Sequence, residues 1–174
     1  MAYVDTNVII SYTFSGDRDH ARAVTLVERV RKHSKLYASP LTLVELYSVL
    51  LKKMHMYKLP PEAEALSRVD SKLRYLVTYI LNLLDVSIVD DIPQLSTVEN
   101  VNVFHIFSDA IQLIINKIKL NSLDIIHLAY ATRLTRDGII KYFITFDKEI
   151  LSERSNIEKV TGIKVIGSSN EIEM

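Results

Sequence analysis

The sequence predicts an α/β protein built on a mainly parallel sheet. Three observations lead there. Short apolar runs recur at 2–5, 36–38, 86–89, 142–145 and 163–166. Between them lie stretches whose apolar residues repeat every three or four positions, the period of a helix. Strand and helix alternate along the chain, and strands joined by crossover helices pair in parallel.

Residues 2–5 read as a short buried strand that stops at the polar triplet Asp5-Thr6-Asn7. A helical turn over 8–13 and a Ser-Gly-Asp loop at 15–17 follow. Residues 19–33 are helical in pattern, with Val24, Val27 and Val30 inward and Arg22, Arg29 and Lys32 outward. The strand at 36–38 leads into Ser39-Pro40, where Ser suits a cap and Pro the first helical turn. Leu43, Val44, Tyr47, Leu50, Leu51 and Met54 make that helix's apolar stripe, and Glu45 lies off its centre. Pro60-Pro61 marks the next boundary. One helix then carries Leu66, Val69, Leu73, Leu76, Ile80 and Leu83, and a second carries Phe104, Phe107, Ile111, Ile114 and Ile118. Off the first stripe, Tyr75 and Tyr79 are placed in an exposed interface patch. The strand 86–89 lies between these helices and ends at Asp90-Asp91-Ile92-Pro93. Residues 123–136 are helical, capped by Ser122. Strand 142–145, a short helix over 148–154 and strand 163–166 complete the order. No Pro/Gly/Ser linker interrupts it, so 1–174 reads as a single domain.

Composition narrows the chemistry. Apolar content of 48% and charged content of 24% are those of a water-soluble globular protein. The absence of cysteine excludes disulfides, thiolate zinc sites and a Cys nucleophile, and fits a cytoplasmic location. No run spans a bilayer, and MAYVDTN is no signal peptide. With four glycines and no GxGxxG or GxxxxGK[ST], a Gly-rich phosphate loop is excluded. Net charge is zero, so polyanion binding must rest on local patches.

Four acids stand at equivalent topological positions. Asp5 and Asp147 follow strands directly. Glu45 and Asp124 sit early in helices that leave or enter strands. In open parallel sheets, ligands bind beyond the carboxyl ends of the strands. Each acid has a simpler reading. Asp5 can cap a turn, Asp147 can cap the following helix, Asp124 suits a helix dipole and Glu45 suits a solvated face. None of these explains four acids on one edge. Asp90 and Asp91 also follow a strand, but the Ile-Pro after them reads as a surface turn. Crowded carboxylates repel, and a hard divalent cation with oxygen ligands relieves them. Such a site without His or Cys ligands points to metal-assisted phosphate chemistry. His127 shares a helix face with Asp124 and is read as a packed or partly exposed helix histidine. No His spacing suits zinc. Phosphate contacts would fall to Arg18, Arg22, Lys52, Lys53, Arg133 or Lys148.

Four segments in order, YVDTNVII, SPLTLVELYSVL, NSLDIIHLAYATRL and YFITFDKEI, resemble the PIN domain family, in the style of VapC-like toxins and their prokaryotic relatives. The resemblance implies a three-layer α/β/α fold with a central, mainly parallel sheet of four or five short strands. It implies a Mg²⁺- or Mn²⁺-dependent ribonuclease site made by Asp5, Glu45, Asp124 and Asp147. Thr6, Asn7 and Thr145 match small polar residues that order such carboxylates. Many relatives carry a further Asp where this chain has Glu149. The resemblance also implies an antitoxin partner and raises the expectation of a homodimer. A PIN-fold scaffold without catalysis, and a PIN nuclease of RNA maturation, are the alternative readings.

Overall fold

A computed structural model describes residues 1–90 and 93–172. Asp91 and Ile92, part of the turn expected after the third strand, lie outside the described residues. Strand β1 (Ala2–Val4) is followed by helices α1 (Thr6–Thr13) and α2 (His20–Arg31). Strand β2 (Leu36–Ala38) feeds α3 (Pro40–Lys53), a 3₁₀ turn, α4 (Pro61–Glu64) and α5 (Val69–Leu84). Strand β3 (Val86–Ile88) comes next, then a hairpin of β4 (Leu95–Val98) and β5 (Val101–Phe104). Helices α6 (His105–Ile115) and α7 (Ser122–Arg136) lead to β6 (Tyr142–Ile144). Helices α8 (Lys148–Ser152) and α9 (Arg154–Thr161) and strand β7 (Lys164–Ile166) follow.

The central sheet has five strands in the order β3-β2-β1-β6-β7, and every pairing is parallel. Successive strand residues point to opposite faces, and here both faces are covered. Ala2, Val4, Leu36, Ala38, Tyr142, Ile144 and Ile166 pack beneath α1, α2, α3 and α5. Tyr3, Phe143 and Val165 point the other way, into α6, α7, α8 and α9. The result is the expected three-layer α/β/α arrangement with five short strands.

Several local expectations need correction. Val24 is only partly buried, and Ala23, Leu26, Val27 and Val30 form the inner face of α2. In α3 the buried residues are Thr42, Leu46 and Leu50, while Val44 and Leu51 are exposed. The inner face is rotated because sheet and α5 approach together, so apolar periodicity alone misjudged which flank is covered. Asn121, not Ser122, caps α7, and its side chain accepts from the Leu123 and Asp124 N–H groups. The segment 148–154 divides into two helices. Tyr75 and Tyr79 stack on one another at 6.2 Å and are half-buried, one side packed against the core.

The β4–β5 hairpin is the largest departure. Glu99 and Asn100 both take positive φ, 47° and 66°, the backbone of a tight two-residue hairpin turn. Asn tolerates that region and Glu does not favour it, so the turn carries a weak sequence signal. Phe104 therefore ends a strand rather than opening a helix, and it is exposed together with Phe107 and Ile114. Ile106, Ala110 and Leu113 form the buried face of α6.

Candidate active site

The sheet reverses its direction of winding between β1 and β6. Strands β2 and β3 lie to one side of β1, and β6 and β7 to the other. A crevice opens at such a reversal, beyond the carboxyl ends of the strands. Val4 pairs with Ile144, so the next residues, Asp5 and Thr145, emerge side by side. Helix α3 brings Glu45 and α7 brings Asp124 to the same place. A cleft of about 840 Å³ is lined there by Asp5, Thr6, Asn7, Glu45, Asp124 and Asp147, among others. The structure thus brings all four acids together.

Each acid is held by neighbours. Asp5 Oδ2 accepts from Thr145 Oγ1 at 2.6 Å and from Asn7 Nδ2 at 2.7 Å. Asn7 Oδ1 in turn accepts from the Phe146 N–H at 3.1 Å, which ties the loop after β6 to α1. Glu45 Oε2 accepts from Thr6 Oγ1 at 2.5 Å and faces His127 Nε2 at 2.9 Å. Asp124 Oδ2 accepts from the side chain of Asn121. Asp147 caps α8, its Oδ1 accepting from the Glu149 and Ile150 N–H groups. The capping and site roles of Asp147 are therefore compatible. Glu45 Oε1, Asp124 Oδ1 and Asp147 Oδ2 have no hydrogen-bond partner among the described residues.

Charge is in excess here. Burial, with repulsion from Glu45, raises the Asp5 carboxyl above its ordinary value, against the opposing pull of His127 and Thr145. Asp124 is pushed up to about 7 by burial first, then by the charges of Asp147, Asp5 and Glu45. Burial opposes ionisation of Glu45 too, but the hydrogen bonds from His127 and Thr6 win and hold it low. His127 moves up despite its burial, because Glu45 bonds to it and Asp5 and Asp124 surround it. Oxygen donors from Asp5 and Glu45 and a nitrogen of His127 lie within 4.8 Å of one another. Unpartnered carboxylate oxygens, repelling neighbours and hard donors fit a divalent cation.

The raised Asp124 sets a pH dependence for the metal-free protein. Its native pKa of about 7 lies well above the ordinary aspartate value that the unfolded chain keeps, so between the two the native state binds more protons. Stability contributed by this group therefore falls as pH rises through that window. Asp124→Asn is expected to flatten the fall. Denaturant titrations of both proteins in chelator, at about pH 4 and about pH 8, measure it. Identical pH dependence in the two would contradict the assignment.

Glu149 is exposed and does not line the cleft, and Asp90 is exposed on the far edge strand's loop. Arg18 and Lys53 line the cleft, whereas Arg22 is used structurally. Its Nε donates to the Gly167 carbonyl at 2.8 Å, and its guanidinium lies 4.3 Å over the Phe146 ring. Arg133 lines an apolar groove elsewhere. Of the packed and partly exposed readings of His127 the packed one holds, at 2% exposure, but the ring also faces Glu45. The available signal was its position one helical turn after Asp124. Tyr3 and Asn121 gave no signal of their own.

Fold and site together define an α/β/α domain with an acidic cleft at its sheet reversal. The PIN domain family matches residues 2–155, and the chain belongs to that family. Among solved structures it is similar to VapC20 of Mycobacterium tuberculosis, described as a toxin that cleaves the sarcin-ricin loop. The TM-score is 0.53 at 13% identity, covering 87% of this chain and 94% of that one. A search of curated proteins gave no match. No helix among the described residues is long and apolar enough to cross a membrane.

Proposed function

We propose that this chain, acting as one PIN unit over 1–174, is a metal-dependent endoribonuclease and the toxin of a toxin–antitoxin pair in the cytoplasm. The carrying observation is the convergence of Asp5, Glu45, Asp124 and Asp147 in one cleft with more negative charge than it can hold. These four residues would hold Mg²⁺ or Mn²⁺. A divalent cation there supplies activation of water and neutralisation of charge on the phosphate oxygens. The protein's part is orientation. Thr145 and Asn7 fix Asp5, Thr6 and His127 fix Glu45, and Asn121 fixes Asp124. Arg18 and Lys53 supply positive charge for the RNA backbone on the cleft wall. No protein nucleophile is needed. RNA as substrate and an antitoxin as partner are supported by family membership and by the activity described for VapC20.

A homodimer is supported by the exposed apolar residues Val44, Phe104 and Phe107, which line a groove of about 520 Å³. The test of function is cleavage of RNA by the purified protein. Cleavage is expected with Mg²⁺ or Mn²⁺ and is expected to vanish in chelator. Cleavage that persists in chelator would overturn the metal-site reading. RNA binding without cleavage at saturating metal would favour the scaffold alternative.

A further inference from the structure

Glu45 is held from behind by a buried chain of polar groups. His127 Nε2 lies 2.9 Å from Glu45 Oε2, and His127 Nδ1 lies 2.7 Å from the Tyr3 hydroxyl, with Ser39 Oγ at 3.3 Å. A carboxylate oxygen only accepts, so Nε2 carries the hydrogen and donates it. In the neutral ring Nδ1 is then the acceptor, and the Tyr3 hydroxyl donates to it. The bond at one ring nitrogen thus fixes the role of the other. Tyr3 is itself enclosed by packing. It is fully buried in β1 and stacks on Phe143 of β6 at 5.1 Å and 12°.

The consequence falls on Glu45. Its Oε2 is held twice, by His127 and by Thr6 Oγ1 at 2.5 Å. Turning the carboxylate breaks both bonds. Oε1 is left without a hydrogen-bond partner among the described residues, on a side chain that lines the cleft. A histidine with both ring nitrogens engaged has no lone pair to offer an ion.

We propose that Tyr3 and His127 form a positioning relay, anchored in the sheet, that fixes the Glu45 carboxylate for a divalent cation, and that His127 is not itself a ligand. The relay rests on the metal-centre reading above. Partners that orient a ligating group set affinity although they never touch the ion. Tyr3 lies in β1 and Asp5 follows directly from its end, so the same strand leads into one acid and braces another.

The test is Mn²⁺ titration, by calorimetry, into the full chain and into four variants. His127→Leu removes the donor and is expected to weaken binding by about 10–100-fold. His127→Gln keeps an N–H near the Nε2 position and is expected to recover most of that loss. Tyr3→Phe removes the nearer Nδ1 partner, leaves Ser39 Oγ at 3.3 Å, and is expected to fall between. Melting of the metal-free proteins separates positioning from packing. If the histidine variants lose Tm alike while Mn²⁺ affinity stays at the wild-type value, the relay is overturned. Should His127→Leu fail to fold, wild-type affinity in both His127→Gln and Tyr3→Phe would overturn it equally. Pulsed paramagnetic resonance of bound Mn²⁺ is expected to show no coordinated nitrogen. A nitrogen coupling that disappears in His127→Gln would make His127 a ligand and sink the proposal. Glu45→Gln separates the two levels. Weakened binding there with unchanged binding in the relay variants defeats the relay alone. A wild-type chain that binds no Mn²⁺ defeats the metal-centre reading with it.

Discussion

Asp5→Asn is expected to reduce metal-dependent RNA cleavage by at least about 100-fold while leaving the fold intact. Changing a group that merely orients a ligand costs about 10–100-fold, and Asp5 is argued to be a ligand itself. Asn is nearly isosteric with Asp. Its carbonyl can still accept from Thr145 and Asn7, as Asp5 Oδ2 does at 2.6 and 2.7 Å. The amide then faces the cleft, where an oxygen is wanted. The metal-free protein should not suffer, because one buried charge in a crowded acidic cluster has been removed. Cleavage rates together with thermal melting in chelator check both halves. Activity within a few-fold of wild type would remove Asp5 from the site.

Phe143→Ala is expected to be among the most destabilising single changes. Phe143 lies in β6, is fully buried, and stacks on Tyr3 of the neighbouring strand. Truncating a buried Phe costs about 3–5 kcal/mol, since transfer and cavity terms add. For a domain of this size that corresponds to a fall in Tm of roughly 6–20 °C. The damage should also reach the site. Tyr3 loses the ring that holds it, and Tyr3 contacts His127 at 2.7 Å. Calorimetric melting and Mn²⁺ affinity on the same preparation test this. A Tm within a degree or two of wild type would contradict the packing described for the sheet's second face.

Strand positions were legible because each is a short apolar run ended by a polar residue. Asp5 after Val4 and Asp147 soon after Ile144 were legible for that reason, since the strand end and the sheet edge coincide. The helical stripes were less legible. Val44 is 65% exposed, because the chemistry of a side chain does not say which flank of its helix meets a neighbour. The hairpin at 95–104 was hidden by a turn built on Glu99 and Asn100 without glycine. Glu45 depended on the family resemblance, as a polar residue on a helix carries no periodic signal. The relay behind it was not legible. Tyr3 and His127 are 124 positions apart, and each alone reads as an ordinary core residue. Only the fold brings them together.

The most direct test of the metal centre is anomalous diffraction from crystals of the whole chain soaked in Mn²⁺. A manganese peak is expected in the cleft, against the carboxylates of Asp5, Glu45, Asp124 and Asp147, and is expected to be lost in Asp5→Asn. A wild-type crystal at saturating Mn²⁺ with no peak there, or with its peak on other residues, would contradict it.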